Sequence, residues 1–191
     1  VWVAASTHDQ EEQQVLAAHR TLLERFPDLL LVLVPRHPER FATVADLIDK
    51  QGFNRVSRTE ERPSDAETRV FLGDTMGEVP LFYAGCDIAF VGGSLVPIGG
   101  HNLLEPAALG LPLVSGPHVY NAQEISDLFI GLGACHIVED GAQLAAAVAE
   151  LLDDTDAARE QGGRARDIVS QNRGALARLL TLLEPLIEVR Q

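Results

Sequence analysis

Asp87-Ile88-Ala89-Phe90-Val91-Gly92-Gly93-Ser94-Leu95-Val96-Pro97-Ile98-Gly99-Gly100-His101-Asn102-Leu103-Leu104-Glu105-Pro106 decides the fold. Its first five residues are an apolar run suited to a buried strand, the glycines mark an open loop, and Asn102 before Leu103 reads as a helix cap. Glycine at 92, 93, 99 and 100 permits positive φ and close approach of backbone to a ligand, and a helix start adds unpaired N–H groups. The loop is suited to an anion, most simply a phosphate. Glu105 lies three residues after Asn102, where it either closes a capping box or reaches a sugar hydroxyl. Pro106 limits where the helix begins. The best-known phosphate loops are excluded: Lys50 is the chain's lysine, so no Gly-x-x-x-x-Gly-Lys exists, and no Gly-x-Gly-x-x-Gly follows a strand.

The same strand, loop and helix unit recurs on both sides. Val1 to Ala5 reads as a strand, Ser6-Thr7-His8 as a turn, and Asp9 to Arg25 as a helix with Val15, Leu16, His19, Leu22 and Leu23 on one face. The Ser6 and Thr7 hydroxyls read either as phosphate contacts or as caps. Leu29 to Val34 is a second strand, opening onto Pro35-Arg36-His37-Pro38-Glu39-Arg40 and a helix over 41–51. Arg36 is a fork for phosphate or carboxylate, and His37 beside it is a candidate hydrogen-bond donor; a rigid surface turn is the alternative. Phe53 to Arg58 and Arg69 to Leu72 are further strands, separated by a polar surface loop over 59–67. Gly73-Asp74-Thr75-Met76-Gly77-Glu78 then leads into a short helix, with Asp74 or Thr75 as its cap or as a binding group.

After the central stretch come a strand at Leu113-Val114 and a loop with His118 and Tyr120, placed to meet a base or sugar. A helix over 122–132, a strand over 134–138, a helix over 142–152 and a long helix from Asp156 to Leu183 complete the chain. Gly162-Gly163 is a weak point in the last helix. This alternation predicts a doubly wound parallel α/β sheet, a Rossmann-like single domain over 1–191 with its polar loops on the carboxyl edge.

With 191 residues and 46% hydrophobic content, the chain can bury a full core. The formal charge of −13 argues against non-specific nucleic-acid binding, so an anionic ligand must be held by local cations. Cys86 and Cys135 lack metal-ligand spacing and read as packing residues in a reducing compartment. No apolar run approaches the roughly 20 residues of a membrane span, and the expectation is a soluble fragment cut at a domain boundary.

Taken together, Ala5-Ser6-Thr7-His8, Pro35 to Arg40, Gly73 to Glu78, and Gly92-Gly93-Ser94-Leu95 through Gly99 to Pro106 resemble the 3-deoxy-D-manno-octulosonic acid (Kdo) transferases. The resemblance covers nearly the whole chain, in order. It implies the carboxyl-terminal, donor-binding half of an inverting glycosyltransferase of GT-B architecture in lipopolysaccharide assembly. By resemblance the donor is CMP-Kdo, with Ser6 and Thr7 at the edge, Arg36 and His37 near the phosphate or sugar acid, Gly99, Gly100, His101 and Asn102 at the phosphate, Glu105 on the ribose, and Met76 and Gly77 lining the base pocket. No metal or other cofactor is implied. The catalytic base, the lipid A precursor and the anchor at the cytoplasmic face of the inner membrane belong to a missing amino-terminal half, toward which the last helix packs. Asp9-Gln10 departs from the family's acidic residue and glycine. A sugar-nucleotide epimerase half such as a UDP-sugar 2-epimerase, or a non-catalytic interaction domain, are the alternatives.

Overall fold

The computed structural model describes residues 1–172. Strands β1 (Trp2–Thr7), β2 (Leu31–Pro35), β3 (Arg55–Ser57), β4 (Val70–Leu72), β5 (Ile88–Val91), β6 (Leu113–Ser115) and β7 (Cys135–Ile137) form one sheet in the order β3-β4-β2-β1-β5-β6-β7. All its pairings are parallel. Each strand falls where the sequence predicted one, with ends shifted by one or two residues in either direction. Helices α1 (Glu11–Leu23), α2 (Phe41–Lys50), α3 (Val79–Ala84), α4 (Leu104–Ala108), α5 (Gln123–Gly131), α6 (Gly141–Asp153) and α7 (Thr155–Asn172) connect and follow the strands.

The central strands β2 and β5 and most of β1 are apolar because helices cover both faces. Side chains alternate along each strand, so Trp2, Ala4, Leu31 and Leu33 pack with Val15, Leu16, Ile48, Leu144 and Val148 on one face. Val3, Ala5, Val32 and Val34 pack with Phe82, Ala107, Phe129 and Ala165 on the other. Full burial of a side chain such as Leu31, Leu33 or Phe90 contributes roughly 1.5–3 kcal/mol each. Cys86 and Cys135 are buried and unpaired, and burial pushes both thiols up to about 12.

His19 in α1 joins the first core. Its Nδ1 accepts from the Trp2 indole N–H at 3.2 Å, and its Nε2 donates to the Arg69 carbonyl at 2.8 Å. Both ring nitrogens are satisfied only in the neutral form, and burial pulls its pKa down to about 4.

The last helix departs from expectation at Gly162-Gly163, because α7 runs through both residues without interruption. A Cβ at Gly162 would lie 1.9 Å from the Gly110 carbonyl oxygen. The glycine therefore permits α7 to close against the turn before β6, where the Gln161 amide also donates to the Leu113 carbonyl at 2.9 Å. The apolar stripe expected at Leu176, Leu179, Leu180 and Leu183 lies outside the described residues.

From β1 the chain passes to β2, goes out to the edge strand β3, comes back to β4 between them, then crosses to β5 on the other side of β1 and winds outward through β6 and β7. The strand order thus reverses between β1 and β5, and the crevice beyond their carboxyl ends is where such sheets bind ligands.

Candidate functional site

A cavity of about 420 Å³ opens at that crevice. Four segments line it: Ser6 at the end of β1, Arg36 after β2, Met76 and Gly77 after β4, and His101 and Asn102 with Glu105 of α4 after β5. The sheet has gathered these residues from positions 6 to 105. Tyr83 closes the floor, and its burial, with the Glu105 carboxylate nearby, raises its pKa. Of the other candidates, Thr7 is fully buried with its hydroxyl unpartnered among the described residues. His37 stands edge-on to His8, with ring centroids 5.2 Å apart. Gly99 and Gly100 shape the loop at φ of +107° and +76°.

The first glycine pair does not face the cavity. Glu11 is 0% exposed, and its carboxylate accepts from the N–H of His8 at 3.1 Å, Gly93 at 2.8 Å, Ser94 at 3.1 Å and Leu95 at 2.9 Å. The N–H groups that make this loop resemble a phosphate cradle are therefore consumed by a carboxylate from α1. Gly92 permits the approach, since a Cβ there would lie 2.7 Å from Glu11 Oε2 and 2.8 Å from the Ser6 carbonyl. The reversal that brings Glu11 inward passes through Gln10 at φ +65°, a left-handed conformation costing a non-glycine residue roughly 1–2 kcal/mol. Here the chain carries Asp9-Gln10 where the resemblance expects glycine. Sequence reasoning missed Glu11; two acids at a helix start directly after a strand edge were its signal.

The second glycine pair is held differently. The Gly100 N–H donates to the Gly93 carbonyl at 2.8 Å, and the loop after β6 braces it from outside. There the Tyr120 hydroxyl donates to the Pro97 carbonyl at 2.6 Å, and the Asn121 amide donates to Ile98 O at 3.0 Å. Tyr120 thus clasps the loop instead of lining the cavity. The N–H groups of Gly99, His101 and Asn102 have no acceptor among the described residues and remain available to an anion. Asn102 caps α4 by accepting from Leu104 N–H at 2.9 Å. Its amide donates to Glu105 Oε1 at 3.1 Å, so Glu105 closes no capping box and turns toward the cavity.

The two arginines after β2 are also divided. Arg40 forks onto Glu12 at 3.1 and 3.0 Å and reaches Asp9 at 3.0 Å, tying this loop to α1. Burial raises the Glu12 pKa against the opposing pull of Arg40. Arg36 is exposed and makes no side-chain hydrogen bond or ion pair among the described residues, which leaves its fork free beside the cavity. Neither Asp74 nor Thr75 caps α3: Asp74 accepts from Thr59 N–H at 2.9 Å, and Thr75 donates to Glu78.

Above the first glycine pair, His8 Nε2 and His101 Nε2 meet at 2.7 Å with ring planes 6° apart. Burial lowers both pKa values, that of His101 to about 4, and the cationic side chains nearby add to the effect. Among the described residues no group of three His, Cys, Asp or Glu side chains is placed to hold a metal ion. No described helix is long and apolar enough to cross a membrane.

Residues 2–168 match the family described as glycosyl transferases group 1. The chain is 45% identical over 189 residues to the 3-deoxy-D-manno-octulosonic acid transferase of Haemophilus influenzae, covering 98% of this chain and 44% of that protein. It is similar to the crystal structure of the C-terminal CMP-Kdo binding domain of WaaA from Acinetobacter baumannii, with a TM-score of 0.85, 38% identity and 88% coverage of both chains. Anabaena HepE in complex with UDP-glucose shares the fold, with a TM-score of 0.67 at 17% identity over 98% of this chain and 48% of that one.

Proposed function

The chain belongs to the glycosyl transferases group 1 and, within them, to the Kdo transferases, and from that premise we propose that its cavity binds CMP-Kdo as the donor of a Kdo transfer. One observation carries the assignment to residues: the free Arg36 fork, the unpaired N–H groups of His101 and Asn102, and the Glu105 carboxylate converge on one cavity of nucleotide size. Arg36 and the two N–H groups meet the phosphate, where charge develops as the bond to Kdo breaks and fixed donors lower the barrier. Glu105 accepts from the ribose hydroxyls, held in place by Asn102. Met76 and Gly77 border the base, with Met76 56% exposed and available to be covered by it. Ser6 stands at the edge toward the sugar.

The chain spans about 44% of the length of the Haemophilus relative. In this proposal the base that activates the acceptor hydroxyl, the site for a lipid A precursor and the contact with the cytoplasmic face of the inner membrane lie outside these residues. The transfer is inverting and uses no metal. The test is a titration of the chain with CMP, UMP and cytidine, followed by amide shifts. The expected result is preference for CMP, with shifts at Arg36, Gly77 and residues 101–105. Preference for the uridine nucleotide points to a UDP-sugar enzyme, and shifts at the opposite edge of the sheet overturn the site.

A further inference from the structure

His8 comes from the β1 edge and His101 from a loop 93 residues later, yet their Nε2 atoms are 2.7 Å apart. At that distance one nitrogen carries a hydrogen and the other offers a lone pair, because two N–H groups or two lone pairs would repel. In the neutral pair, the donor ring therefore has a bare Nδ1 and the acceptor ring an Nδ1–H. Neither Nδ1 has a hydrogen-bond partner among the described residues. One added proton settles on the bare Nδ1, turns it into a donor and leaves the ring-to-ring bond intact. A second would have to take the lone pair that accepts this bond. The pair thus has room for one proton, and with it presents two outward N–H groups.

The surrounding charges set when that proton arrives. Arg36 and His37 approach from the loop after β2, and Arg40 from the start of α2. The acids are occupied: Glu11 by four backbone N–H groups, Glu12 and Asp9 by Arg40, and Glu105 by the Asn102 amide. Burial is the first cause that keeps the rings neutral, and the Arg36 cation, which has no ion-pair partner among the described residues, adds to it until an anion offsets that charge.

Resting on the assignment of this cavity to a cytidine nucleotide, we propose that the His8–His101 pair takes up one proton as the donor's phosphate diester binds and holds that oxyanion as a singly protonated unit. His101 lines the cavity, and His8 is the positioning residue that fixes its ring and shares its proton. Affinity for the diester then falls as pH rises, because the binding form is the protonated one.

The probe is the methyl ester of CMP, whose phosphate carries one charge and does not itself titrate near neutrality. Calorimetry at about pH 6.5, close to the free imidazole value, in two buffers of different ionisation enthalpy reads the protons taken up. The wild-type chain is expected to take up close to one proton with the ester and none with cytidine. His8→Asn and His101→Asn each abolish the uptake and weaken the ester about tenfold, a loss of about 1.4 kcal/mol, while cytidine binding holds. His37→Gln retains the uptake. Ester binding without proton uptake by the wild-type chain overturns the proposal, whatever the variants do. So does uptake that survives His8→Asn or disappears with His37→Gln. If CMP, its ester and cytidine all fail to bind, the nucleotide assignment falls and the pair's role with it; binding without uptake removes the pair alone.

Discussion

Gly92-Gly93 and Gly99-Gly100 lie in one loop between β5 and α4, and each pair invites the same reading as a backbone cradle for phosphate. At the first, Glu11 takes the N–H groups of Gly93, Ser94 and Leu95 from within the protein and joins α1 to the β5 edge. At the second, the His101 and Asn102 N–H groups have no acceptor among the described residues and face a cavity. A glycine-rich turn is therefore read by whether a buried acceptor already fills it. The histidines divide in the same way: His19 and His101 are both drawn down to about 4, but only His19 has both ring nitrogens bonded within the protein.

The sharpest way to break this contrast is Glu11→Ala. It strands four N–H donors, three of them buried, at roughly 1–3 kcal/mol for each buried one before water enters, and the expected loss of stability is at least about 3 kcal/mol in urea unfolding. A loss below about 1 kcal/mol would show that the first pair is not locked. The closed histidine comes next. His19 has a folded pKa of about 4, below the free value of 6.5, so the unfolded chain binds a proton that the folded one refuses. Its contribution is present above about pH 6.5 and lost as pH falls toward 4, on the order of 2 kcal/mol by pH 5. His19→Gln should flatten that part of the stability curve, measured by difference from the wild-type chain; an unchanged slope would assign it to other groups.

At the open pair the effects move from stability to binding. Glu105→Gln should weaken CMP about tenfold, since a hydrogen bond to a charged acceptor is worth about 1.5 kcal/mol, with the unfolding midpoint unchanged. An equal loss of stability would make Glu105 a brace for Asn102. Arg36→Ala is expected to have the smallest effect, a few-fold loss for CMP and none for cytidine, because an exposed cation is screened to about 1 kcal/mol or less. Equal losses for the two ligands would move Arg36 away from the phosphate.

The strands were legible because parallel strands covered on both faces are continuous apolar runs, and the loops because glycine, proline and polar clusters punctuate them. The motifs also singled out Arg36, Met76, Gly77, His101, Asn102 and Glu105, which line one cavity in the structure. Glu11 and His8 were less accessible. Glu11 is at once an ordinary acid in a first helical turn and the partner of N–H groups more than eighty positions away. His8 reads as part of a polar turn until His101 arrives from the far side of the switch point.

Thus the sequence by itself determined the order of elements, the doubly wound class and the edge that carries polar chemistry, because these follow from periodicity and local conformational preference. Only the tertiary structure decided which glycine N–H groups are spent and which are free, which arginine is tied down, and which two imidazoles meet. Those outcomes depend on distances between loops that the winding of the sheet creates, and a hydrogen bond is made or lost within a fraction of an ångström.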